Sequence, residues 1–207
     1  MFNEDLARHG VVARAEKVYP TELVVSRPIE SLDDFAQLKV RSSGSYLAYL
    51  EAAGAAPQYI PGSELYQSLA SGVVDGAHWG AAVGASSMSL WEICKLHMKP
   101  ALAFTCDAWI LNADAVEALP DDLRLKLMSL IETRYYARTA EYQLLELTTL
   151  REGQAEQDVQ VRQFPEDVQA LFAEASAEIL AREADKSEMA ATAADRLREF
   201  MAQLGLR

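Results

Sequence analysis

The chain has 207 residues, half of them apolar, and a formal net charge of −12. This length and composition allow one large domain or two small ones with a real hydrophobic core. The excess of acidic residues argues against binding to nucleic acid or to an anionic membrane surface. No apolar run reaches the length of a membrane-spanning helix.

The first ten residues have neither the basic nor the apolar segment of a secretory signal peptide. From these residues alone we expect either a cytoplasmic protein or a leader outside this sequence. Cys94 and Cys106 are the only cysteines, and their spacing matches no zinc motif. We expect two buried free thiols, with a single disulfide as the alternative.

Short apolar runs and helical patterns alternate along the first 80 residues. We predict strands over 11–18, 21–26, 38–41, 58–60 and 73–74, and helices over 3–9, 45–53 and 64–70. Pro20 separates the first two strands, and Ser31 opens a capping box before one more short helix. Strands and helices that alternate with short connections indicate a parallel α/β fold.

The second half is dominated by one long helical pattern, from Asp121 to about Glu152, which Gly153 is expected to end. Apolar residues approximate one face of it: Leu123, Leu127, Leu130, Ile131, Tyr135, Leu144, Leu145 and Leu147. Strict coiled-coil heptads are not kept, so we favour a long helix laid across a two-lobed body. Around it we predict strands over 101–105, 109–111 and 159–161, and helices over 114–119, 165–183 and 192–204.

Polar side chains follow two of the predicted parallel strands. Arg41 ends one strand, and His78 and Trp79 come just after another. Ligands of parallel sheets collect at the carboxyl ends of strands, and a guanidinium offers a fork of donors that matches a carboxylate. We therefore predict a cleft that holds a small organic anion between Arg41 and Trp79.

Each of these residues also has a purely structural interpretation. Arg41 is then a packing arginine, Trp79 a core residue and His78 a structural histidine, while His9 and His97 are expected at the surface. No nucleophile elbow, dinucleotide fingerprint or phosphate loop occurs. We therefore do not predict an enzyme.

Several short motifs, taken in order, resemble one protein family: residues 28–35, 38–41, 61–76 and 118–123, and the pair His78 and Trp79. On these residues the chain looks like the extracytoplasmic solute-binding proteins of tripartite ATP-independent periplasmic (TRAP) transporters, the DctP-like family. It is most similar to the branch that binds 2-oxo acids and related carboxylates.

This resemblance implies a periplasmic-binding-protein-like (Venus flytrap) α/β fold whose first lobe is incomplete here. It divides the chain into a remnant of lobe 1 with the first hinge strand (1–37), the ligand-binding lobe 2 (38–100), return hinge strands (101–119), and the spanning and C-terminal helices (120–207). The early part of the family protein, with its signal peptide, has no counterpart in this sequence.

The resemblance also assigns roles to single residues. Arg41 matches the arginine that pairs with the ligand carboxylate, and Trp79 matches an aromatic wall of the pocket. His78 stands where the branch has a glutamate that helps to hold a cation, and Glu22 stands near a glutamine that does the same. Glu22 and His78 then either bind a metal, such as a sodium or calcium ion bridging the ligand, or form an ion pair without one.

The function that follows is the substrate-binding component of a TRAP-type transporter, in the periplasm, with no cofactor required. Its expected partners are a small carboxylate, the membrane permease subunits and, through the long helix, a second copy of the chain. One alternative is a truncated or split relative that does not bind ligand and acts as a scaffold. The other is a small α/β enzyme that uses Glu22 and His78 around a divalent cation.

Overall fold

A computed structural model describes residues 2–206 of the chain. Nine α-helices and six strands lie in this part: α1 (Phe2–Ala7), β1 (Val11–Val25), α2 (Leu32–Ala36), β2 (Lys39–Ser42), α3 (Ser45–Ala52), β3 (Ala56–Tyr59), α4 (Gly62–Ala70), β4 (Gly76–His78), α5 (Ala82–Ser87), β5 (Leu96–Asn112), α6 (Ala113–Glu117), α7 (Asp121–Glu156), β6 (Gln160–Gln163), α8 (Glu166–Ala184) and α9 (Glu188–Gln203). A short 3₁₀ helix spans Leu90–Glu92. None of the described helices is both long enough and apolar enough to cross a membrane.

The fold separates into two compact units. One contains the chain up to Val24 together with Trp79–Arg162, and the other contains Val25–His78 together with the chain from Gln163 on. The four-part division predicted from the sequence stays a prediction.

The second unit is a parallel α/β layer. Its three short strands lie in the order β3-β2-β4, with β2 in the middle. Arg41 of β2 is in register with Gln58 of β3 and Ala77 of β4. On the helical side Phe35 makes edge-to-face contacts with Phe164 and Phe172. These rings are almost fully buried and form the centre of this unit's core.

Local sequence signals explain where α2 begins and where α4 ends, although only the first of these was predicted fully. The Ser31 side chain accepts a hydrogen bond from the backbone N–H of Asp34 and so caps α2. The predicted strand at Val73 and Val74 is wrong: after Gly72, which has φ +72°, the N–H of Val73 bonds back to the carbonyl of Ser68. The valines therefore close α4 in the manner of a Schellman cap, and the strand starts at Gly76.

The first unit is built on two long neighbouring strands, β1 and β5, with β6 beside β5. The predicted break of β1 at Pro20 and the predicted gap between 105 and 109 are both wrong, because single strands run through them. Proline's fixed φ is compatible with extended backbone, so Pro20 removes one donor without ending the strand. The helix α7 follows Pro120, as expected.

Two further expectations need correction. Gly153 does not end α7, which continues to Glu156. Cys94 is buried as expected, but Cys106 is exposed on β5, and neither cysteine forms a disulfide. Successive residues of a strand point to opposite faces, so Cys106 is exposed while its neighbours Thr105 and Asp107 are half-buried.

Candidate ligand-binding site

Arg41 links the carboxyl ends of the three parallel strands in the second unit. Its side chain is buried, with 4% of the residue exposed. Nε donates to the carbonyl oxygen of Ile60, just after β3, and Nη1 donates to the carbonyl oxygen of His78, at the end of β4, both at 2.9 Å. These bonds orient the guanidinium plane with two of its five N–H groups.

Burial has an electrostatic consequence for Arg41. Loss of solvent lowers the pKa of Arg41 from its usual value, and the Tyr59 phenol opposes this shift slightly. A guanidinium keeps its proton even so. The carboxyl edge of this sheet therefore carries a buried positive charge, which favours an anion there.

His78 lies beside Arg41 with its ring held on two sides. Its Nδ1 is 3.3 Å from the hydroxyl oxygen of Ser42, and the ring of Tyr46 lies 4.1 Å away between centroids, tilted by 32°. Burial, and then the charge of Arg41, lower the pKa of His78 to about 4. The imidazole is therefore neutral at neutral pH.

Glu22 belongs to a different cluster, in the first unit. One carboxylate oxygen is hydrogen-bonded to Nε2 of His97 and the other to Nζ of Lys99. Burial alone would raise the pKa of Glu22, but the hydrogen bonds with His97 and Lys99 outweigh it, and the pKa is lowered. Glu22 is thus a buried carboxylate with a partner on each oxygen.

His97 connects this cluster to the core, so its predicted surface position is wrong. It is fully buried, and its Nδ1 accepts a hydrogen bond from the indole N–H of Trp91 at 3.3 Å. An indole nitrogen only donates, so Nδ1 carries no proton and Nε2–H donates to Glu22. His97 and Lys99 lie two residues apart on β5 and so on the same side of the strand, which is a sequence signal that we missed.

Trp79 is also in the first unit and packs against the start of α5. A Cβ at Gly84 would overlap the carbonyl oxygen of Trp79 and come within 3.1 Å of its indole ring. The backbone N–H of Glu22 donates to the carbonyl of Gly80, the next residue. The structure thus brings Glu22 and the backbone beside Trp79 together in this unit, and Arg41 and His78 together in the other.

Glu146 is a buried acid that sequence reasoning missed. One carboxylate oxygen accepts from the N–H of Val83 at 3.2 Å and so holds the first turn of α5 against α7. The other oxygen has no hydrogen-bond partner among residues 2–206. Burial raises the pKa of Glu146. The residues around Glu146 on α7 are mostly exposed and of mixed polarity, so no local sequence pattern predicts that Glu146 is buried.

Glu22 and His78 alone do not offer the ligands that a sodium or calcium ion prefers. Both ions prefer several oxygen ligands, but the oxygens of Glu22 already accept from His97 and Lys99, and His78 offers nitrogen. No group of three or more His, Cys, Asp or Glu side chains in the described range is arranged to hold a metal. A joint metal role of Glu22 and His78 stays a prediction, and the function proposed below does not depend on it.

The sequence matches one protein family over most of its length. Residues 22–187 match the model of the DctP family, the bacterial extracellular solute-binding proteins of family 7. The chain belongs to this family. The ectoine-binding periplasmic protein TeaA of Halomonas elongata is 32% identical to this DctP-family chain in an alignment of 132 residues that covers 59% of this chain and 36% of TeaA.

Solved structures show what the fold resembles. The fold resembles TRAP periplasmic solute-binding proteins from Colwellia psychrerythraea, with bound calcium and pyruvate (TM-score 0.89, 23% identity), and from Pseudoalteromonas atlantica, with bound sodium and pyruvate (TM-score 0.86, 23% identity). Each comparison covers 98% of this chain but 63% of the solved one. The DctP-family chain therefore spans less than two thirds of these relatives.

These findings confirm the predicted fold class, an α/β fold of the periplasmic-binding-protein type. They also confirm the resemblance on which the site assignments rested. Solute-binding proteins of the DctP family are transport receptors, which agrees with the expectation that the chain is not an enzyme.

Proposed function

We propose that this chain is the substrate-binding component of a TRAP-type transporter and that Arg41 binds the carboxylate of a small organic acid, a 2-oxo acid or a close relative. One observation carries the proposal. A buried guanidinium, oriented by the carbonyls of Ile60 and His78, lies at the carboxyl ends of three parallel strands. A buried positive charge there is best compensated by an anion that accepts from it.

The ligand-contact roles of Trp79 and His78 stay predictions from the family resemblance. Glu22 forms an ion pair with Lys99 within the first unit. The pyruvate bound in two solved relatives is compatible with a ligand of this class. We expect a periplasmic protein that delivers its ligand to the membrane permease subunits, as family membership suggests.

Binding is tested by isothermal calorimetry and thermal shift with pyruvate, longer 2-oxo acids, lactate and dicarboxylates. Arg41→Ala should abolish the ligand-dependent rise in melting temperature, because that rise reflects binding to the folded state alone. Arg41→Lys should weaken binding by about tenfold or more, since lysine keeps the charge but loses the planar fork.

Arg198→Ala is the control, because Arg198 is an exposed arginine paired with Asp195 on α9. It should leave the ligand response unchanged. An Arg41→Ala variant that is folded and still binds the acid with wild-type affinity would contradict the proposed role.

A second candidate function is a scaffold or self-associating fragment without ligand binding. It is favoured by the exposure of α7: among its first 25 residues none is buried, and several large apolar side chains are exposed. These are Leu123, Leu125, Leu130, Tyr136, Leu144 and Leu145. An apolar surface of this kind commonly marks an interaction face.

A further inference from the structure

The helix α5 lacks the local signals that would hold its first turn. It has six residues, Ala82–Ser87, and these include one glycine and two serines, which have a low helix propensity. Ala81 stands at the N-cap position and makes no side-chain hydrogen bond to the helix. A helix this short is not stable on its own in water. The backbone N–H groups of its first turn therefore depend on an acceptor from another part of the chain.

Glu146 of α7 supplies this acceptor. The residue is 8% exposed, and Oε2 accepts a hydrogen bond from the backbone N–H of Val83 at 3.2 Å, across 63 residues of sequence. Its carboxylate does for α5 what the Ser31 hydroxyl does for α2, but from a different helix. A negative charge is also favourable at the N-terminus of a helix. The first turn of α5 is thus capped by α7.

The capped turn lies against Trp79. Gly84 of α5 approaches Trp79 so closely that a Cβ there would overlap the Trp79 carbonyl oxygen and lie 3.1 Å from the indole ring. On the other side, the carbonyl of Gly80 accepts a hydrogen bond from the backbone N–H of Glu22 at 2.7 Å. The segment of Trp79 and Gly80 is therefore held between β1 and α5. If α5 shifts, the indole loses the surface on which it packs.

Glu146 occupies this position at a cost in stability. Its Oε1 is buried and has no hydrogen-bond partner among residues 2–206. Burial raises the pKa of Glu146; the N–H groups of Val83 and Ala82 oppose this, the charge of Glu22 adds to it and that of Lys99 opposes it. The resulting stabilisation belongs to the neutral acid: it is present below the ordinary carboxyl pKa of 4.5 and is lost as the pH rises through the higher folded value. At neutral pH, global stability therefore does not explain why an acid stands here.

We propose that Glu146 is a positioning residue: its carboxylate caps α5 and thereby fixes the orientation of Trp79, the predicted aromatic wall of the pocket. The effect on ligand affinity rests on the proposed function. The effect on Trp79 itself does not, because it is expected in the protein without ligand.

The first test measures the environment of Trp79 without ligand. The sequence has three tryptophans, so incorporation of 5-fluorotryptophan gives three fluorine NMR signals, and Trp79→Phe identifies the one from Trp79. Glu146→Met has a side chain of similar length without an acceptor, so it should shift or broaden this signal. Glu146→Gln keeps an acceptor oxygen and should change it less. Glu152→Met, at an exposed position of the same helix, is the control and should leave it unchanged.

A pH titration gives a readout that a purely structural role would not change. As the pH falls from 7 through the raised pKa of Glu146, the wild-type Trp79 signal should move toward that of Glu146→Gln, because glutamine resembles the neutral acid. The charged or titratable groups that face Glu146 are Glu22 on β1, Lys99 on β5 and Tyr142 on α7, and α5 has none. Glu146→Gln retains them all, so a transition that they cause appears in both proteins.

Two results would overturn the positioning role. One is an unchanged Trp79 signal in a folded Glu146→Met variant. The other is a pH transition of the same size in the wild type and in Glu146→Gln. The titration uses the wild type and the conservative variant, so it decides the question even if Glu146→Met does not fold.

Calorimetry with pyruvate and 2-oxovalerate connects the position of Trp79 to binding. Glu146→Met should bind these acids about threefold or more weakly than the wild type and Glu152→Met, as expected for the loss of a helix cap. Glu146→Gln should lose less. Wild-type affinity in Glu146→Met together with a displaced Trp79 signal would contradict the link to binding. If neither acid binds the wild type, the proposed function is contradicted, while the fluorine signals still decide whether Glu146 positions Trp79. The two failures are therefore distinguishable.

Discussion

Glu22 illustrates how single residues in this protein are held by partners far away in sequence. The carboxylate is almost fully buried, yet each oxygen has a hydrogen-bonded partner on β5, His97 or Lys99. A buried ion pair contributes little stability compared with apolar residues of similar size. Removing one partner, however, leaves the other charge buried without compensation. The cluster is therefore a sensitive point of the first unit.

We expect Glu22→Gln to lower the free energy of unfolding by about 3 kcal/mol at pH 7, the low end for a buried pair because Lys99 is partly exposed. The pKa of Glu22 is lowered in the folded protein. Its stabilising contribution is thus present above the ordinary carboxyl pKa of 4.5 and is lost as the pH falls through the lower folded value.

Urea unfolding between pH 7 and pH 3 measures both effects. The difference between wild type and Glu22→Gln should shrink toward the acid end of that range. Glu64→Gln, at an exposed position of α4, is the control and should change little. Equal losses in the two variants would contradict the role of the buried pair.

At the scale of elements, the long helix α7 continues past Gly153, although glycine has a low helix propensity and often marks a helix end. A Cβ at Gly153 would lie 2.6–3.0 Å from three ring atoms of Trp91, which is fully buried. The glycine is there because helix and indole approach closely. This contact outweighs the cost of about 1 kcal/mol for glycine inside a helix.

We expect Gly153→Ala to lower the free energy of unfolding by about 1–3 kcal/mol, because the overlap with Trp91 exceeds the gain in helix propensity. Gln154→Ala, at the exposed next position, is the matched control and should be neutral or slightly stabilising. Chemical unfolding of both variants checks this. A stabilised Gly153→Ala would mean that the indole moves aside at little cost.

The same helix shows the limit of a periodic pattern. Of the apolar face predicted from the sequence, Leu127, Ile131 and Tyr135 are half-buried, while Leu123, Leu130 and Leu144 are exposed. Helical spacing places residues on one side of a helix. Whether that side is covered depends on what packs against it.

For the whole molecule, this exposed surface leads to a prediction about association. The predicted homodimer through the long helix has not been tested, and Leu144 and Leu147 are suitable probes, with 64% and 66% of each residue exposed. We expect the chain to form a dimer or larger assembly at micromolar concentration, since an uncovered apolar face favours association.

Light scattering coupled to size-exclusion chromatography measures the assembly. Leu144→Glu combined with Leu147→Glu should shift the protein toward the monomer, because charges would enter the apolar contact. Leu197→Glu combined with Phe200→Glu, two exposed apolar residues at the same spacing on α9, should not. A monomeric wild-type chain would argue against the scaffold function and the homodimer together.

Features that depend on residues close together in the chain could be predicted from the sequence. The capping box at Ser31, the start of α7 after Pro120 and the strand-end position of Arg41 all depend on local chemistry, and all appear in the structure. The order of the family motifs was readable too, and it predicted the α/β fold class correctly.

Tertiary structure decided the contacts between residues that are distant in the chain. The bonds of Glu22 to His97 and Lys99 span 75 and 77 residues, so they depend on how β1 and β5 pair. The extent of α7 depends on Trp91, and the cap of α5 depends on Glu146, 63 residues from Val83. Local propensity is worth about 1 kcal/mol or less per residue, whereas desolvation and packing of buried groups are worth several. Where the two conflict, packing determines the outcome.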